Sequence, residues 1–160
     1  MADPDIYHYS LEIVPLDCNF APADSAISAV LKLLEVKCLD NQQTDQWSHT
    51  HIQLVGLIDP LCQELICPSC GKKDSPGCDF FFPLVEMLSE QPPDESDVEM
   101  ECCGSTVKVL SIDFGDKPKF AKFGFTINNR SEELDKNTIV EIGDLLGCPV
   151  AQFVEEELSR

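Results

Sequence analysis

Two short cysteine clusters, CPSCG at residues 67–71 and CCG at residues 102–104, constrain this chain more than any other feature. Zinc asks for four soft or borderline donors in a tetrahedron, and two cysteines separated by two residues can reach one ion from a single turn. A glycine after the second cysteine lets the backbone bend there. The first cluster meets every condition, with Pro68 stiffening the turn. The second is less regular, because Cys102 and Cys103 are neighbours and both can ligate only if the backbone turns between them. Cys103, followed by Gly104, matches the end of a metal turn better than Cys102 does. The spacing predicts a zinc site built from Cys67, Cys70, Cys102 and Cys103. Cys78 is the reserve fourth ligand in place of Cys102, and the plain alternative is a set of buried or surface thiols without metal.

Four thiolates would fill the shell of such an ion, whereas catalytic zinc keeps an open position for water or substrate. The expected cofactor is therefore structural zinc. It would fasten the strand end at Ile66 beside the strand start at Ser105 and close the loop between the clusters, a segment expected to have little core of its own.

The nine cysteines are an odd number, and the N-terminus MADPDIYHYS lacks the basic-then-apolar pattern of a secretory signal. A disulfide framework is therefore not expected, and the expected location is a reducing cytoplasm. The chain of 160 residues suits one domain, 1–160, with residues 65–104 as a metal-bound insertion lobe. No apolar run is long enough to span a bilayer.

The net charge of −18 repels nucleic-acid phosphates and anionic lipid, and favours a basic protein partner. Residues 1–100 hold 18 acidic and 4 basic side chains, so the excess lies there. The acidic stretch QPPDESDVEME at 91–101 reads as an exposed loop, and Asp94, Glu95, Asp97, Glu99 and Glu101 are the candidate partner-binding residues. A basic face for nucleic acid would need Lys108, Lys117, Lys119, Lys122 and Arg130 gathered together.

Residues 6–14 alternate as a strand, and residues 26–36 carry Ile27, Val30, Leu31 and Leu34 at helical spacing, with Asp24 or Ser25 as cap. Residues 40–50 read as a polar connector, 51–58 as a strand and 62–66 as a short one. Asp79 is expected to cap a helix over 80–90 with Pro83 in its first turn. Residues 105–114 and 120–129 alternate and are expected to pair as a hairpin, with Phe123, Phe125 and Ile127 on one face. Residues 136–147 read as a helix stopped at Gly147, and 150–158 as a last short helix after Pro149. No internal repeat stands out. The order predicts an α+β fold, a two-layer sandwich of antiparallel sheet and helices with a zinc-ribbon-like insertion.

Catalytic signals are missing from the pattern. No G-x-S-x-G turn, phosphate-binding glycine loop or dinucleotide fingerprint occurs. His49 and His51 could ligate from one strand face but lack a third partner, and His8 reads as structural. Cys18, Cys38, Cys62 and Cys148 have no activating basic neighbour. Phe80, Phe81 and Phe82 read as core.

The combination ICPSCG, CCG leading straight into an alternating strand, FAKFGFTINN and LGCPVAQF resembles a family of small uncharacterised bacterial proteins with a zinc-ribbon-like insertion. The resemblance runs from about Leu65 to Phe153. It implies the metal and the fold, and no activity. In style, though not in motif, the chain is also similar to bacterial toxin-immunity proteins. The functional expectation is a non-enzymatic, acidic binding or inhibitor protein, immunity- or antitoxin-like, with a toxin or nuclease as the basic partner. The alternatives are an enzyme whose pocket residues are scattered, and a zinc-ribbon adaptor.

Overall fold

The computed structural model describes residues 6–39, 41–56, 61–115 and 118–159. Its eight strands and three helices among these residues run β1 (Ile6–Pro15), α1 (Asp24–Lys37), β2 (Thr44–Leu54), β3 (Leu65–Ile66), β4 (Lys73–Asp74), α2 (Cys78–Glu90), β5 (Asp97–Glu99), β6 (Thr106–Lys108), β7 (Phe120–Asn128), α3 (Lys136–Leu146) and β8 (Val150–Ser159). Short 3₁₀ turns lie at Pro93–Glu95 and Val109–Ser111. The α+β architecture is as expected: a four-stranded antiparallel sheet ordered β2-β7-β1-β8, plus two small hairpins, β3-β4 and β5-β6. Compactness divides the chain into Met1–Ser48 with Lys122–Arg160, and His49–Ala121. The dividing points fall inside β2 and β7.

The first unit follows from alternation in the strands. Leu11 pairs with Ile127 and Ile13 with Phe125, so these side chains share one face of the sheet. The core on that face joins them to Val30 and Leu34 of α1 and to Ile142 and Leu146 of α3. Each such side chain, fully buried, stabilises the fold by roughly 1.5–3 kcal/mol. The connectivity, with β7 seated between β1 and β2 and β8 on the outer side of β1, is that of a split β-α-β plait. On the opposite face Trp47 lies over Gly124, where an added Cβ would come within 2.4 Å of the indole.

Several expectations give way to tertiary pairing. Residues 150–158 form β8, not a helix: Val150, Phe153 and Val154 stand at helical spacing, but β1 offers a full-length partner, and the strand turns Phe153 to the face opposite Val150 and Val154. Gln152 fixes the strand by exchanging two hydrogen bonds of 2.8 Å with the Leu134 backbone. Residues 105–114 do not pair with β7. Only Thr106–Lys108 is strand, and it pairs with β5. The Ile112 N–H donates to the Val109 carbonyl and the Ser111 hydroxyl to the Lys108 carbonyl, which turns the chain out of extended form. β2 begins at Thr44, inside the expected connector, and ends at Leu54. Residues 57 and 58 lie outside the described residues.

The segment between the cysteine clusters also has more core than expected. Helix α2 buries Phe80, Phe81, Leu84 and Leu88, and the Phe80 and Phe81 rings meet edge to face at 5.2 Å. Phe82 is exposed. The helix starts at Cys78 behind Gly77, so Asp79 lies in its first turn instead of capping it, and Pro83 sits beyond that turn. Helix α1 likewise begins at Asp24 with Ala23 at the cap position. Gly147 ends α3 in the left-handed region (φ 88°), as expected of a C-terminal stop.

Candidate metal centre

Each small hairpin ends in the same backbone turn. In the first, the Cys67 carbonyl accepts from Gly71 N–H and the Cys67 N–H donates to the Lys72 carbonyl. In the second, the Met100 carbonyl accepts from Gly104 N–H and the Met100 N–H donates to the Ser105 carbonyl. Gly71 and Gly104 both hold positive φ, 74° and 73°, the conformation that favours glycine. The strand registers agree too: Ile66 faces Lys73 as Glu99 faces Thr106. The hairpins are therefore structural copies, shifted by 33 residues in the sequence. The sequence shows no repeat because only Cys70/Cys103 and Gly71/Gly104 are identical across the turn.

This superposition explains the irregular second cluster. Cys103 occupies the place of Cys70. The place of Cys67 is taken by Met100, which is buried. Cys102 stands where Ser69 stands in the first turn, so the second hairpin offers its extra sulfur from a different position.

The two turns face each other. The sulfurs of Cys67 and Cys103 lie 3.8 Å apart and those of Cys70 and Cys102 3.4 Å apart. All four sulfurs fall within 4.8 Å of one another. A tetrahedral ion with bonds of about 2.3 Å to sulfur sets neighbouring sulfurs about 3.8 Å apart, so the donor set fits one ion. Cys67 is fully buried, while Cys70 and Cys103 are exposed. The hydroxyl of Ser69 donates to that of Ser105 at 3.1 Å and ties the turns together. Reciprocal bonds between Ile66 and Asp113 anchor β3.

The neighbouring thiols of the second turn differ in acidity. Cys102 is pushed up to about 12, first by its hydrogen bond with Cys70 and next by burial. Cys103 is brought down to about 6, first by the Ser105 hydroxyl and then by the Ser105 N–H, both of which stabilise its thiolate. Metal binding needs both as thiolates. Cys103 supplies one near neutral pH, and the ion must displace the proton of Cys102.

The four cysteines read from the sequence are the ones brought together, and Cys78, at the start of α2, is not among them. The five candidate partner-binding acids are all exposed. Asp94 and Glu95 lie in the 3₁₀ turn, Asp97 and Glu99 on β5, and Glu101 in the second metal turn. The stretch is thus a structured segment, not a loop, held by the buried Ser96, whose hydroxyl donates to the Pro92 carbonyl. Of the residues a basic face would need, Lys117 lies outside the described residues, and Arg130 donates to the Glu132 carbonyl and to Gln42. His49 and His51 belong to no metal-type cluster among the described residues. What sequence reading missed is the placing of Met100 and the role of Ser105. The cue was the spacing of the two Cys-Gly pairs.

No helix of the described residues is long and apolar enough to cross a membrane. No protein-family model, curated protein or solved structure matches the chain.

Proposed function

We propose that this chain is a non-catalytic binding protein for a basic protein partner, with structural zinc held by Cys67, Cys70, Cys102 and Cys103. One observation carries the reading: the four sulfurs suffice to complete a tetrahedral shell, so a bound ion keeps no position for water or substrate. The metal's contribution is then architectural, holding two hairpins face to face. The second support is charge. The exposed carboxylates of Asp94, Glu95, Asp97, Glu99 and Glu101 form no ion pair or side-chain hydrogen bond among the described residues. Unpaired surface carboxylates steer a cationic partner and speed its association, and salt weakens the effect. Inhibition of a toxin or nuclease with a basic active site, in a reducing cytoplasm, is the sharpest form of this proposal.

Elemental analysis and affinity capture test it together. Purified protein should carry one zinc per chain. Immobilised protein should retain basic proteins from its native host at about 50 mM salt and release them at about 500 mM. Zinc-free protein of unchanged stability, or the capture of no basic protein at either salt, would overturn the proposal.

A further inference from the structure

A groove of about 410 Å³ runs beside the second metal turn, between α2 and β5. Phe80, Leu84 and Met87 line it from one face of the helix, at the i, i+4, i+7 spacing of a helical stripe. The other wall is Val98, Glu99, Met100 and Glu101, with Gly104 at its end. Val98 and Glu99 are neighbours in β5 and point to opposite faces of the strand, so a groove lined by both passes along its edge, and Met100 and Glu101 carry it on into the turn.

That edge is open. Among the described residues β5 has β6 on one side and no strand on the other. Met100 N–H donates to Ser105 and the Ser96 carbonyl accepts from Val109, so the even-numbered residues spend their main-chain groups on β6. The main-chain groups of Asp97 and Glu99 point to the outer edge. An unpaired edge of this kind is a template for an added strand.

The chemistry around the edge selects the occupant. The groove's charged lining residues are Asp79, Glu99 and Glu101, all carboxylates and all exposed, with no basic residue among the lining. Its floor is apolar and includes two methionines, which adapt to varied shapes. An arginine lays its aliphatic stem on such a floor and meets carboxylates with its fork of donors. We propose that this groove binds an extended, arginine-bearing segment of a protein partner as a third strand beside β5. Apolar side chains of the segment pack on Phe80, Leu84 and Met87, and its arginines meet Asp79, Glu99 and Glu101. This rests on the binding-protein reading above and names the surface and the mode.

The test is fluorescence anisotropy with a labelled ten-residue peptide that alternates arginine and leucine. Zinc-loaded full-length protein should bind it, and Glu99→Gln with Glu101→Gln should weaken binding by roughly tenfold or more. Met87→Gln should weaken it independently. Neutralising the exposed pair Glu132 and Glu133, outside the groove, should change affinity by less than about twofold. A peptide with alternate main-chain nitrogens methylated keeps its charges and should lose binding, because it cannot add a strand. Equal binding of the methylated peptide, equal loss from the Glu132 and Glu133 variant, or no loss from either groove variant would overturn the proposal. If affinity capture yields a basic partner that the groove variants still bind, the groove is wrong and the broader reading stands.

Discussion

Removing the metal should loosen α2 far more than it loosens the plait. An ion bound by the four cysteines would join Cys70 to Cys102 and so close a loop of roughly 33 residues that contains α2 and β5. A cross-link around a loop of that length withdraws about 12 cal/mol/K from the unfolded segment, or about 4 kcal/mol at room temperature. The link from Cys67 to Cys103 is nested around the first and adds little closure entropy. The plait has its own core of Leu11, Ile13, Phe125 and Ile142, with no metal in it. Amide hydrogen exchange on zinc-loaded and chelator-stripped protein reads both units. Stripping should speed exchange of the α2 amides by roughly 10³-fold, from about 4 kcal/mol at 1.4 kcal/mol per decade. The amides of β1 and β7 should change much less. The chain's single tryptophan, Trp47 on β2, gives a second reading of the plait by fluorescence. If the α2 amides exchange equally fast with and without zinc, the ion is no cross-link and the reasoning fails.

The structural copy of the two hairpins makes a rescue experiment possible: Cys102→Ser should weaken zinc binding, and adding Met100→Cys should restore much of it, by returning the ligand to the place Cys67 holds in the first turn. Competition with a zinc-sensitive dye checks both. Gly124→Ala should destabilise the plait by about 1–3 kcal/mol, because the new methyl meets both the Trp47 ring and the Ile13 carbonyl, and urea unfolding followed by Trp47 fluorescence measures it. In metal-free protein the stability contributed by Cys102 and Cys103 should be greatest near pH 9, read as the difference between urea titrations of the native protein and a Cys102→Ser, Cys103→Ser variant across pH. The lowered Cys103 contributes stability above 9.0 that is lost as pH falls toward about 6, and the raised Cys102 contributes stability below 9.0 that is lost as pH rises toward about 12.

The four-cysteine cluster was legible because its chemistry is local. A cysteine pair and a following glycine specify a turn wherever the chain later goes, and four sulfurs leave few alternatives. The plait was legible where one face dominates, as in Phe123, Phe125 and Ile127 on β7 or Val30 and Leu34 on α1. Legibility failed where tertiary pairing overrode local spacing. Val150, Phe153 and Val154 stand at helical spacing, and the strand was imposed by β1, about 140 residues away in the chain. It failed also at residues 105–114, whose alternation is real but is cut after Lys108 by a 3₁₀ turn that the Ile112 N–H closes on the Val109 carbonyl. The hidden repeat is a third case. Backbone turns are copied by hydrogen bonds and by one glycine each, and neither leaves more than a faint trace in residue identity.

The hairpin expected between residues 105–114 and β7 shows how an insertion misleads a linear reading. In a split plait β2 and β7 are adjacent, and in this chain the Val55 N–H still donates to the Lys119 carbonyl at 2.7 Å. The insertion therefore leaves and re-enters the sheet at bonded neighbours. Gly56 permits the close approach, since a Cβ there would lie 2.8 Å from the Pro118 carbonyl. The cost of bringing the insertion's two ends together is already met by sheet pairing, so the insertion need only order itself. Its strands are two or three residues long, too short to hold as isolated hairpins. Helix α2 supplies one apolar face, and four sulfurs from two copied turns supply the remaining constraint. An ion at that cluster would add its constraint where the hairpins are weakest. Among the described residues the outer edge of β5, beside the cysteine cluster, has no strand against it, and an ion bound there would hold that short strand extended.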